Sequence, residues 1–378
     1  MTATARPITQ GPKHHWFGYY DKLQFDPAGR RVLGMEVEFE GRSPRADDVI
    51  RIGVVDLDDS CAWTELGTSS SWCWQQGCML QWIPGTASRV LWNDRDGDRF
   101  VCHILDVYTG ERRTIGTPVY TLCPDGATAI AADFRRINDT RPGYGYPGIP
   151  DPNAGVKAPE DSGLWRVDVS SGEATLILSI AEIAGLPYPH GDLRDAKHWF
   201  NHVLVNPTGD RIEFLHRWRF GDKGFNTRML TCGLDGGDVR VVDDSGHSSH
   251  FHWRDAHHIL VFTRPAGEEW GFYLFDERTG ERELVIDDRR NGHCLYMPGN
   301  EWILNDTYPQ GEDRLQRLYL YRVADGHRRD LGAYRAPKDY AGEWRCDLHA
   351  RFSPDGTKIV FDSAHGGDGR QMYLVELV

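Results

Sequence analysis

The sequence predicts an all-β chain, a seven-bladed β-propeller with four-stranded antiparallel blades. Three observations lead there. A tight turn built around Pro, Asp and Gly recurs along the chain, and Pro presets φ at its start while Gly supplies positive φ at its end. Each turn is followed by two short runs rich in Val, Ile, Phe, Tyr and Leu, the composition of strands. No stretch carries a helical period of any length.

The last copy shows the unit most plainly. Leu348–Ser353 reads as a first strand, Pro354-Asp355-Gly356 as the turn, Lys358–Ser363 as a second strand and Gln371–Leu377 as a third. The turn position falls at Pro27, Pro84, Pro124, Pro207, Asp255, Pro298 and Pro354, giving seven copies. The third run of most copies ends in Asp and a Gly turn, leading into a fourth strand such as RRTIG, ATLIL or RELVI. The blades then fall at about 16–66, 76–116, 117–180, 198–243, 248–287, 291–333 and 345–378, in one domain spanning 1–378. The seventh lacks a fourth strand, and the segment Arg6–Gln10 is placed to supply it. Two insertions break the rhythm: a Pro/Gly-rich loop at Asn138–Asp161 inside blade three, and Leu178–Phe200, whose SIAEIAGL predicts a short helix.

The chain has 378 residues, 40% hydrophobic, with 13 Trp, enough for a large core. Its net charge of −13 argues against nucleic acid as a partner. The N-terminal stretch has no apolar signal region, and no run is long enough for a membrane span. The eight Cys show no CxxC spacing and read as reduced thiols, so a cytoplasmic location is expected.

The turn also aligns a set of histidines. Five residues before it stand His202, His250, His293 and His349 in blades four to seven, and Lys22, Met79 and Val119 in the first three. First strands of a propeller line its channel, so equivalent positions point toward one mouth. One His there is more often a packed core residue; four at one offset suit a divalent metal (Zn, Mn or Ca) or proton transfer. His250, His293 and His349 are the expected ligands. Beside them the pattern places Tyr120 and Arg135-Arg136 in blade three, at the two ends of a strand pair. It also places Gln76 and Asn93 in blade two, Arg217 in blade four, and His15 with Tyr19-Tyr20 in blade one. Aromatic rings interleaved with Arg suit a sugar ring bearing a carboxylate.

The phrases HHWFGYYDK, GCMLQWIPG, NHVLVNPTGDRIEFLHRW, SHFHWRD, GHCLYMP and RCDLHARFSPDG, spread over nearly the whole chain, resemble the seven-bladed polysaccharide lyases. These are ulvan lyases, rhamnosyl-glucuronate lyases and, more distantly, oligogalacturonate lyases. The resemblance implies β-elimination at a uronic acid in an oligo- or polysaccharide. Tyr120 and Arg136 match the Tyr/Arg pair of those enzymes, and the later-blade histidines resemble their metal ligands. Where the ulvan type carries a His pair, this sequence has Gln76 and Asn93, which leaves His202 as the nearest substitute for the base. A metal-dependent hydrolase or isomerase and a non-catalytic glycan- or protein-binding propeller are the competing expectations.

Overall fold

A computed structural model describes residues 4–222 and 224–377. Its strands form seven four-stranded sheets. The pairings within each run antiparallel between neighbours, as in Arg31–Val37 against Ile50–Asp56 and Lys358–Ser363 against Gln371–Glu376. The architecture is a seven-bladed β-propeller. The blades comprise strands within 14–69, 81–115, 121–179, 197–246, 251–286 and 294–335, and a seventh made of 351–376 with Arg6–Pro7.

The repeated turns do what their residues dictate. In blade seven the Gly356 N–H donates to Ser353 O at 2.8 Å, and the Asp355 carboxylate accepts the N–H of Thr357 at 3.0 Å. The same closure recurs from Gly29 to Asp26, Gly126 to Cys123 and Gly209 to Asn206. The Asp that ends most third strands holds the next turn: Asp106 accepts from Tyr108 and Thr109, and Gly110 donates back to Asp106 O at 2.9 Å.

Arg6–Pro7 pairs with Gln371–Glu376, Arg6 opposite Leu374 and Pro7 opposite Tyr373, so the chain's beginning supplies the fourth strand of blade seven. The Ile8 N–H extends the ladder to Met372 O at 2.9 Å.

The chain's contacts group into two compact units. One holds the residues up to Thr114 and those from Asn291 onward, which are blades one, two, six and seven; the other holds Ile115–Arg290, blades three to five. The first unit packs around Trp16, Trp72 and Trp74, whose rings stand 5.1–5.5 Å apart and are buried. The second is centred on Leu215, Met229, Phe251, Trp253 and Val261.

Two local outcomes bear on the site. Arg135-Arg136, expected at the end of a second strand, lie on a helix, Phe134–Thr140; the strand stops at Ala132 because Asp133 caps the helix through the Arg135 N–H at 3.0 Å. The short helix expected from SIAEIAGL is Ile180–Ala184, capped reciprocally by Ser179 and Glu182.

Candidate metal centre

In the first unit, His293 enters the first strand of blade six and His349 that of blade seven. Their rings meet edge to face with centroids 4.3 Å apart. Asp347 lies two residues before His349, and one donor atom each from His293, Asp347 and His349 fall within 4.8 Å of one another. All three residues are buried.

Asp306, at the end of the second strand of blade six, organises the cluster. Its Oδ1 accepts the backbone N–H of His293 at 2.8 Å and faces His293 Nδ1 at 2.8 Å. Its Oδ2 accepts the His349 N–H at 3.0 Å. A carboxylate on Nδ1 keeps the proton there, which makes Nε2 the nitrogen carrying a lone pair. Burial pushes the His293 pKa down to about 3, so the ring is neutral at pH 7, the state a metal requires. His349 has φ +42, a left-handed backbone that costs a non-glycine residue of order 1 kcal/mol or more and is held by the Asp306 contact. Arg345 pairs with Asp347 through Nε at 2.8 Å.

Three tyrosines surround these groups. The Tyr20 ring stands 5.0 Å from His293 and Tyr19 5.2 Å from His349; both are buried. Tyr308, half-buried, stands 5.6 Å from His293, with the Arg345 guanidinium 5.8 Å over its ring. Gly18 makes the approach of Tyr19 and Tyr20 feasible. Its φ is +104, and a Cβ there would lie 2.8 Å from the Gln76 carbonyl carbon.

The second unit brings together His202 and His250, centroids 6.3 Å apart, with the His202 ring 4.2 Å from Phe251. His202 sits at the register shift between Asn201 and Val203, with φ +60, the geometry of a bulge that re-aims one side chain. The Tyr120 hydroxyl donates to Asn201 Oδ1 at 3.2 Å and accepts the His202 N–H at 2.9 Å. Tyr120 is fully buried, its ring stacked on Phe134, so the structure places it beneath the His202 backbone.

Arg136 does not face an open cleft. It is 1% exposed. Its guanidinium donates to His198 O, Asp151 Oδ2, Asn153 O, Val156 O and Lys157 O at 2.8–3.1 Å. Every N–H is used inside the protein, which leaves none for the carboxylate contact expected from sequence; Arg136 instead pins the Pro/Gly-rich insertion. His15 is likewise committed, Nδ1 to Gln371 Oε1 at 2.9 Å and Nε2 to Glu36 Oε2 at 3.1 Å. Gln76 and Asn93 are buried in blade two, and the Arg217 guanidinium lies 4.9 Å over Phe225.

Sequence reasoning missed Asp306 and Asp347. A signal for Asp306 existed. It stands eight residues after Pro298, as Asp362 stands eight after Pro354. The two do parallel work: Asp362 accepts the N–H groups of Phe17 and Gly18 in blade one at 3.3 Å, as Asp306 accepts that of His349 in blade seven.

No protein-family model matches the sequence, and no curated protein matches it. Solved structures do. The chain is similar to an oligogalacturonate lyase in complex with manganese, with a TM-score of 0.70 at 17% identity over 100% of this chain and 93% of that one. An oligogalacturonate lyase from Vibrio parahaemolyticus gives a TM-score of 0.69 at 14% identity, over 99% and 93% of the two chains. The β-propeller domain of the trilobed protease from Pyrococcus furiosus gives 0.54 at 11% identity, over 95% and 96%. At these identities the likeness is one of fold.

Proposed function

We propose that this chain, acting as one propeller domain, is a metal-assisted uronate lyase that cleaves a glycosidic linkage by β-elimination. The observation that carries the reading is the buried cluster of His293, Asp347 and His349, preorganised by Asp306. The fold shared with oligogalacturonate lyases, one of them complexed with manganese, supports it. Two imidazoles and a carboxylate suit Mn or Zn; Ca, which seeks oxygen ligands, matches them least. The bound ion would supply positive charge at the substrate carboxylate.

Elimination breaks the C–H bond α to the uronate carboxylate and the C–O bond at the β carbon, forms a C=C bond, and delivers a proton to the departing oxygen. Negative charge builds on the carboxylate as the proton leaves, so fixed cations there lower the barrier. Arg345 is the side chain assigned to pair with it, being only about a quarter exposed and anchored by Asp347. Tyr308, half-buried beside His293 and Arg345, is assigned the proton transfer. Tyr19 and Tyr20 wall the cluster and keep water out. His202, singled out by its register and its strained backbone, is the second assignment for the base, with Tyr120 and Asn201 positioning it. The finer likeness to ulvan and rhamnosyl-glucuronate lyases belongs to the same proposal, with glucuronate in place of galacturonate. Action on imported oligosaccharides in a reducing compartment fits eight cysteines that are all free thiols; among the described residues no helix is long and apolar enough to cross a membrane.

The test is a panel of oligogalacturonates and glucuronate-containing oligosaccharides, assayed by the ultraviolet absorbance of the unsaturated product, with Mn or Zn and after chelation. Metal-dependent unsaturated product is the expected result. Cleavage without unsaturation would make the protein a hydrolase, and no cleavage of any uronate by metal-loaded protein would remove the proposal.

A further inference from the structure

Blade five carries a polar pocket of about 260 Å³, entirely within the second unit. It opens where the segment after Arg240–Gly246 meets the segment between His258–Thr263 and Gly271–Asp276. Ser245, His247, Arg264 and Glu268 line it, together with His190 from the insertion before blade four.

The floor is rigid. The buried Asp243 carboxylate accepts hydroxyls from Ser248 and Thr263 at 2.6 Å each and from Ser245 at 3.1 Å. Ser245 in turn accepts the His247 N–H at 3.2 Å. Burial, and then the charge of Arg264, lower the His247 pKa, so its neutral ring accepts from Arg264 Nη2 at 3.2 Å. The Arg264 guanidinium lies 5.5 Å over the Trp270 indole, which is itself stacked on Phe262. Arg264 is therefore an exposed guanidinium held in place by a ring nitrogen and an aromatic face.

Its charge is not spent within the protein. Among the described residues no carboxylate pairs with Arg264, while the two acids at the pocket rim are engaged elsewhere, Glu268 with Arg282 at 3.8 Å and Glu269 with Arg289 at 3.3 Å. A planar fork of this kind matches a carboxylate. The rim acids disfavour a dianion such as phosphate but accept hydroxyl protons, as the Ser245 oxygen can. One carboxylate surrounded by hydroxyls is the chemistry of an acidic sugar, and the volume suits a single pyranose ring.

We propose that this pocket binds a uronate residue, its carboxylate on Arg264 and its hydroxyls toward Ser245, His190 and Glu268. The choice of uronate over other hydroxy acids rests on the lyase reading; the binding itself requires no metal and no elimination. The pocket would hold a non-reacting acidic sugar rather than the one cleaved.

Calorimetric titration of chelator-treated protein with galacturonate tests this, with galactose and acetate as controls and the Arg264→Gln variant beside wild type. The expected result is galacturonate binding that exceeds both controls and weakens about tenfold in Arg264→Gln, the value of one charge-assisted pair. Arg264 is on the surface, and an unchanged thermal melt of the variant will show that it folds. Equal galacturonate affinity in wild type and variant would overturn the proposal, as would acetate binding as tightly as galacturonate. The His349→Ala variant separates the two readings, because it should lose elimination and keep this binding; loss of the binding in that variant would overturn the pocket as an independent site.

Discussion

The imidazoles of His293 and His349 meet edge to face at 4.3 Å because one carboxylate, that of Asp306, accepts the backbone N–H of each. Both histidines approach from separate blades, so neither strand alone sets their spacing. The Asp306 carboxylate thereby decides whether the two imidazoles converge.

Asp306→Asn should accordingly weaken metal binding by roughly 10–100-fold, the usual cost of losing an outer-shell partner, with a parallel fall in elimination. His349→Ala and Asp347→Asn should lose the metal outright. Metal analysis of the purified variants after dialysis checks all three, and wild-type metal content in Asp306→Asn would show that the carboxylate is structural only.

The proton is expected to travel through Tyr308. Tyr308→Phe should cut kcat by about 10²–10⁴-fold, the range for one acid–base group, while KM changes little. His202→Ala is the companion measurement. A large fall in His202→Ala with an active Tyr308→Phe would move the base to His202.

Arg136→Ala should behave as a stability variant. Removing it leaves Asp151 unpaired and four backbone carbonyls without their donor, a loss of about 3–5 kcal/mol for a broken buried ion pair. Urea denaturation reads this directly. A variant as stable as wild type with a raised KM would restore the carboxylate-binding role expected from sequence.

Stability should fall as pH falls from about 6.5 to about 4. Arg228 can only donate, so its Nε–H to His216 Nδ1 at 3.0 Å places the His216 proton on Nε2. That proton goes to His198 Nδ1 at 2.9 Å, and His198 Nε2–H goes to Leu193 O at 3.0 Å. Burial lowers the His198 pKa to about 4 and holds that of His216 well below its ordinary value. The unfolded chain then takes up protons in this window that the folded chain refuses. The contribution of His198 is roughly 3 kcal/mol, present above about pH 6.5 and gone below about pH 4. Denaturation midpoints across this range should slope less in His198→Gln, and an identical slope in the variant would refute the assignment. Nitrogen NMR shifts should report Nε2–H tautomers for both rings.

The strands were legible in the sequence because their causes are local: Pro and Gly at fixed turn positions, β-branched and aromatic runs between them. The offset of His293 and His349 was legible for the same reason, as was the closing strand at Arg6–Pro7. Arg136 was misread because a strand-like run, ATAIAADF, is cut by a cap: Asp133 bonds the Arg135 N–H and turns the chain into a helix. Asp347 was passed over because one acid beside a His is unremarkable until a partner from another blade approaches. Tyr308 and Arg345 were equally invisible, since their neighbourhood depends on how the loops of blades six and seven lie against each other.

The pairing of Arg6–Pro7 with Gln371–Glu376 has a consequence for the order of synthesis. Arg6–Pro7 leaves the ribosome long before its partner Gln371–Glu376 and must wait for it, and bringing the two together confines a loop of several hundred residues at an entropic cost on the order of 5 kcal/mol. Until then Gln371–Glu376 is an open edge, and nothing in its hydrogen bonding distinguishes its own leading segment from that of a second copy. Strand exchange between copies is therefore the expected misassembly when the protein is refolded at high concentration. A synthetic peptide spanning residues 4–12, added during refolding, should compete for that edge and lower the yield of exchanged dimers seen by size-exclusion chromatography; an unchanged yield would mean that blade seven closes before copies can meet.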